Sequence, residues 1–60
     1  MANTLYFIYK KVSGEYTFQF RMWESSANRV RIYLAENGFE GDFAWKARNG
    51  KKWYYARFVK

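Results

Sequence analysis

With 60 residues and no cysteine, histidine or proline, the chain reads as one small domain, residues 1–60, without disulfides, thiolate–metal sites or imidazole chemistry. Half of the residues are hydrophobic and a quarter are aromatic, so large rings must supply the core area that so short a chain otherwise lacks. Eleven cations against five anions leave a formal charge of +6, which favours an anionic partner: nucleic acid, an acidic protein surface or an anionic membrane.

No apolar run reaches bilayer-spanning length, and Met1-Ala2-Asn3 reads as an untargeted start. An intracellular, cytoplasmic setting is expected, in keeping with the lack of cysteine. Thr4 to Val12 is aromatic and β-branched without breakers, which predicts a strand. Ser13-Gly14 predicts a short turn. Glu15 to Trp23 predicts a second strand, with Tyr16, Phe18, Phe20 and Met22 on one face and Glu15, Thr17, Gln19, Arg21 and Trp23 on the other. A two-residue turn pairs Val12 with Glu15 and sets Phe7 opposite Phe20. Leu5, Phe7 and Tyr9 then join the apolar face, and Tyr6, Ile8 and Lys10 point outward.

Glu24-Ser25-Ser26 reads as a helix entry, with Ser25 or Ser26 as the cap. The helix is expected to run to about Asn37, with Gly38 as a left-handed C-cap and Phe39 against Leu34 in a Schellman motif. Ala27, Val30, Leu34 and Asn37 share its apolar stripe, while Ile32 points away beside Arg29 and Glu36. A third strand spans Phe39 to Arg48 and a fourth Lys51 to Val59. Between them Asn49-Gly50 predicts a type I′ turn, which needs positive φ at both central positions. Four cations, Lys46, Arg48, Lys51 and Lys52, crowd its tip, with Trp45 and Trp53 at the shoulders. This turn pairs Trp45 with Tyr54, Phe43 with Ala56 and Asp42 with Arg57, an opposite-charge pair.

The expected architecture is ββαββ in the α+β class: one helix on one face of a four-stranded antiparallel sheet, order 2-1-3-4, with a right-handed crossover. The face away from the helix then carries Tyr6, Lys10, Arg21, Trp23, Lys46, Arg48, Lys51, Trp53, Tyr55 and Arg57, with Lys52 beside them. Wet sheet faces ordinarily carry Thr, Lys, Glu and Gln, so exposed indoles and phenols need a reason. Three readings compete. Rings stack on bases while Lys and Arg neutralise phosphates. Tyr, Trp and Arg also serve as anchors for a protein partner or a second copy of the chain. Cross-strand rings can equally be structural, stabilising a small sheet.

The five carboxylates and three serines form no catalytic arrangement. Glu40 and Asp42 share a face, but the Asp42–Arg57 pair accounts for the second of them. The scattered glycines cradle no phosphate. A non-enzyme without metal or cofactor is expected. Tyr6-Phe7-Ile8-Tyr9-Lys10-Lys11-Val12, Glu24-Ser25-Ser26-Ala27 opening an Arg-bearing helix, and Gly38-Phe39-Glu40-Gly41 together resemble small phage-encoded inhibitors, among them type I-F anti-CRISPR proteins of similar element order. The resemblance implies a phage or mobile-element origin, a bacterial cytoplasm, and binding to a host protein–nucleic-acid machine. The leading expectation is a nucleic-acid-binding protein of low sequence specificity, DNA before RNA, as monomer or weak homodimer. Its phosphate contacts would be Lys46, Arg48, Lys51, Lys52 and Arg57, extended by Lys10 and Arg21, with Trp53, Tyr55, Tyr6 and Trp23 stacking. The rival is an inhibitor or adaptor that binds a host protein complex through the same face.

Overall fold

The structure of the protein, a computed structural model, describes residues 3–60. Met1 and Ala2 of the untargeted start lie outside the described residues. Strands β1 (Thr4–Val12) and β2 (Glu15–Glu24) precede helix α1 (Ala27–Glu36), and strands β3 (Gly41–Ala47) and β4 (Tyr54–Phe58) follow it. The four strands form one sheet in the order β2-β1-β3-β4, antiparallel at every pairing. The fold is the expected ββαββ of the α+β class.

Local chemistry accounts for the joints. Ser13 and Gly14 take φ of 52° and 86°, positive at both central positions of a type I′ turn, so Val12 pairs with Glu15 as expected. Ser26 caps the helix by accepting from the Arg29 N–H at 3.3 Å. At the other end Gly38 sits at φ 75°, its N–H donates to Ala35 and the Phe39 N–H donates to Leu34. That pair of bonds is a Schellman motif, and it turns the chain from helix into sheet.

The helix lays Ala27, Val30 and Leu34 on the sheet, against Tyr6, Ile8, Phe43 and Trp45. Phe20, Met22, Phe39, Tyr54, Ala56 and Phe58 pack around this cluster. Burying each of Ile8, Val30, Leu34 and Phe43 stabilises the fold by about 1.5–3 kcal/mol. The Trp45 indole N–H donates to the Ala27 carbonyl at 3.0 Å, so the one polar atom carried in with the ring is satisfied and the helix start is tied to β3.

Two sequence expectations fail, each for an identifiable reason. The first concerns β1. From the turn up to Tyr9↔Phe18 the hairpin is regular, but the next pair is Ile8↔Phe20, which leaves Gln19 as an extra residue in a β-bulge. Phe7 therefore lies opposite Arg21, not Phe20. Phe18 and Phe20, two apart, point to opposite faces. Tyr6 and Ile8 go under the helix, and Leu5, Phe7 and Tyr9 go to the outer face, the reverse of the expected assignment. Strand β3 decides this: β1 is central, and its pairs Tyr6↔Ala47, Ile8↔Trp45 and Lys10↔Phe43 align it with the apolar side of β3.

The second failure is the Asn49-Gly50 turn. The register Trp45↔Tyr54, Phe43↔Ala56 and Asp42↔Arg57 is as expected, but the β3–β4 ladder ends at Trp45↔Tyr54. Neither Asn49 nor Gly50 has positive φ, so no type I′ turn forms there. The Arg48 N–H donates to Leu5 of β1 at 2.8 Å, and the Gly50 N–H returns to Ala47 at 3.0 Å. β3 thus stays on β1 while β4 departs, and residues 48–53 become an open loop.

Candidate functional site

The bulge and the β1–β3 pairing fill the sheet's outer face in cross-strand rows. The β1–β2 and β1–β3 registers place Arg21, Phe7 and Lys46 in one row, with Trp53 at the end of β4 beside them. The next row is Phe18, Tyr9, Ala44 and Tyr55. Towards the first turn come Tyr16 and Lys11, then the Asp42–Arg57 pair. Beyond Phe7 on the other side come Trp23, Leu5 and Arg48.

Six rings on this face join in one chain of contacts. Phe7 meets Phe18, Phe18 meets Tyr9, Tyr9 meets Trp53, Trp53 meets Tyr55 and Tyr55 meets Tyr16, with centroids 5.2–6.5 Å apart. The first three contacts are edge-to-face, the arrangement that the ring quadrupole favours. Ala44, at the centre, is buried beneath them. Its small side chain leaves the space that rings from β1 and β4 close over. The upper surface stays open to solvent, with Phe18 50%, Tyr55 60% and Trp53 39% exposed.

Cations stand among the rings. The Lys46 ammonium lies 5.3 Å from the Trp53 ring centre and that of Lys11 lies 5.8 Å from Tyr16. Arg57 grips Asp42 through two bonds of 2.6 and 3.3 Å. Hydrogen bonding from Arg57 holds the Asp42 carboxyl below its usual range, with the charges of Arg57 and Lys11 adding to it.

No protein-family model, curated protein or solved structure matches this chain.

Of the residues expected to bind, Arg21, Trp23, Lys46, Trp53, Tyr55 and Arg57 share the outer face. Arg48 joins its edge, and Lys51 is exposed in the adjoining loop. Three do not belong. Tyr6 is only 7% exposed, lies in the core under the helix, and has its phenol pushed above the ordinary range chiefly by burial. Lys10 is on the helix side, its ammonium 5.8 Å from the Phe43 ring. Lys52 is drawn to the same side, 5.2 Å from Tyr54, whose ring stacks on the core residue Trp45.

In their place the structure adds Phe7, Tyr9, Tyr16, Phe18 and Lys11. Residue spacing carried no sign of them: in β2 alternation runs without a break and only the bulge sends Tyr16 and Phe18 to the face opposite Phe20, while in β1 pairing with β3 turns Phe7, Tyr9 and Lys11 outward. A groove of about 450 Å³ closes the Arg48 end of the face, between Trp23 and the Arg48–Gly50 turn, with Asn3, Thr4, Leu5 and Ala47 completing its lining. Among the described residues no three acidic side chains gather to hold a metal ion, and no helix is long and apolar enough to cross a membrane.

Proposed function

We propose that the protein is a nucleic-acid-binding module, without catalytic activity of its own, that uses the outer face of its sheet. The observation that carries this reading is the connected, solvent-open ring surface on the side opposite the helix, with Lys46, Lys11 and Arg21 set among the rings. Flat rings offer stacking worth about 1–3 kcal/mol per base in single-strand binders, and neighbouring ammonium and guanidinium groups meet phosphates and release counterions. The helix does carry exposed Asn28, Arg29 and Arg31, with Arg31 donating to Asn28, but it lies on the side of the sheet away from the ring surface, so sequence preference at that surface is expected to be low. DNA is the first polymer to try.

The test is a titration of labelled DNA at several salt concentrations, following tryptophan fluorescence and backbone amide shifts. Affinity should fall steeply with salt, and the shifts should map to β1, β2 and the 45–57 segment rather than to α1. Unchanged fluorescence and unchanged shifts at low salt would remove this function.

The neutral row of the face, Phe18, Tyr9, Ala44 and Tyr55, favours a second reading, an inhibitor or adaptor that docks on a host protein complex, as the resemblance to phage-encoded inhibitors implies. Rings without cations gain most from a dry protein contact. A complex of this second kind would hold its affinity as salt rises and would weaken with Phe18→Ala more than with Lys46→Ala.

A further inference from the structure

The outer face has a spacing and an end-groove that suit one form of nucleic acid. Successive rows on a strand are two residues apart, about 6.7 Å. Stacked bases in a duplex rise only about 3.4 Å per step. Rings on consecutive rows can therefore each receive a base only from a strand stretched to roughly twice that rise, with its bases unstacked. A duplex also keeps its base faces inside the stack and would set phosphates, not bases, against Phe18, Tyr55 and Trp53.

The groove gives the same answer independently. Trp23, 62% exposed, forms one wall, the backbone turn at Arg48 and Asn49 forms the other, and buried Leu5 lies between them. Asn3, Thr4, Asn49 and Arg48 are among its lining residues, residue types whose amide, hydroxyl and guanidinium groups suit the edge of a base and the adjoining phosphate. A paired base offers only its groove edges and stays in the stack, so a base can enter the groove between Trp23 and Arg48 and present its pairing edge there only when it is unpaired. Trp23 and Leu5 belong to both the groove lining and the outer face, so a strand laid along the rings reaches the groove at that end of the sheet.

We infer that the outer face binds single-stranded nucleic acid, extended and unstacked, and that one unpaired base sits in the groove between Trp23 and Arg48. This rests on the nucleic-acid reading above and adds its substrate class and a subsite. Sugar identity is left to the assay, because ring stacking and phosphate contact are common to DNA and RNA.

The test is fluorescence anisotropy with labelled single strands of about ten nucleotides, the usual span of a small binding face. DNA and RNA strands are compared with a blunt duplex of the same sequence at one fixed low salt, and the single-strand titrations are repeated at several salt concentrations to give the slope. At least one single strand should bind the protein tenfold or more tighter than the duplex. Trp23→Ala, at an exposed position, should lose about tenfold in single-strand affinity, in line with one stacked base, while duplex affinity stays the same. Arg48→Gln, which keeps the backbone N–H bonded to Leu5, should weaken the single-strand complex and lower its salt slope by about 0.7, one phosphate's share. Equal or tighter duplex binding overturns the inference while leaving a nucleic-acid-binding protein. Single-strand affinity unchanged in both variants overturns the groove as a subsite. If none of the strands nor the duplex binds, the parent reading falls and this one with it.

Discussion

Two side chains report on how charge is handled in so small a protein. The Tyr6 phenol is raised above its ordinary pKa by burial first, then by Tyr54 and Glu24. The folded state thus holds this proton more tightly than the unfolded chain does. Its contribution to stability is intact below the unfolded value of about 10 and is lost as pH rises through the folded value. Thermal unfolding followed from neutral to strongly alkaline pH should show the parent protein losing more stability above about pH 10 than Tyr6→Phe, whose background titration is otherwise the same. Parallel curves would mean that Tyr6 is not desolvated as described. Asp42 is the contrasting case: half-buried, paired with the exposed Arg57, and held below its usual range by that hydrogen bond. Its carboxylate is the anion among the ring-bearing rows of the outer face. Asp42→Asn should free Arg57 for phosphate, tighten nucleic-acid binding and steepen the salt slope by up to about 0.7–0.9, the value of one more phosphate contact. Isothermal or anisotropy titration at several salt concentrations measures this directly. A weakened complex would place the Asp42–Arg57 pair in the role of scaffold.

At the scale of the element, the β1–β2 hairpin depends on Gln19. The bulge adds one residue to β2 without a partner, and the Gln19 side-chain amide bonds back to the Thr17 carbonyl at 3.2 Å. Removing Gln19 brings Ile8↔Phe20 and Tyr9↔Phe18 into consecutive, regular pairs and leaves every other side chain on its present face. Removing Arg21 instead makes Phe20 and Met22 adjacent, and adjacent residues in a strand point to opposite faces. The deletion of Gln19 should therefore fold, with amide shifts changed mainly around the bulge. The deletion of Arg21 should lose the native spectrum, because Phe20 or Met22 must leave the core. Two deletions of one residue each, two positions apart, should thus differ in outcome. If both fold or both fail, the bulge does not set the faces as assigned.

For the whole molecule, the sheet has ring-bearing surfaces on both sides, with unequal duties. Beneath the helix lies the cluster around Ile8, Leu34 and Phe43, sealed from water. On the other side lies the open ring chain. A domain of this size has a small margin of stability, near the lower end of roughly 5–15 kcal/mol. Ile8→Ala should cost about 2–5 kcal/mol and bring the protein close to unfolding at moderate denaturant concentration. Tyr55→Ala, on the open side, should stay folded and shift the midpoint by much less, while nucleic-acid affinity falls. Urea melts of the two variants, read alongside anisotropy titrations, separate these duties. A Tyr55→Ala protein as unstable as Ile8→Ala would make the outer rings a second core instead of a binding surface.

Most of the secondary structure was legible in the order of residues. Strand β1, the Ser13-Gly14 turn, a serine cap at Ser25 or Ser26, the Gly38 C-cap, the β3–β4 register and the Asp42–Arg57 pair all follow from local rules: alternation, capping groups and residues that tolerate positive φ. Of the expected helix stripe Ala27, Val30 and Leu34 are buried while Asn37 is exposed, and the order 2-1-3-4 is favoured only for keeping every pairing antiparallel, which the order of residues does not fix. Local rules did not reach the side on which β1 turns its side chains, or the shape of the Arg48–Trp53 loop. Both are set by residues distant in the chain. The pairing of β1 with β3 chose Tyr6 and Ile8 for the core and expelled Phe7 and Tyr9, and a bulge absorbed the mismatch with β2. The bond from Arg48 to Leu5 held the end of β3 against β1 and opened a turn that Asn49-Gly50 could have closed. Period-two alternation states which residues share a face but not which face the helix covers. That choice, and with it the membership of the ring surface, came from packing the central strand between two neighbours at once.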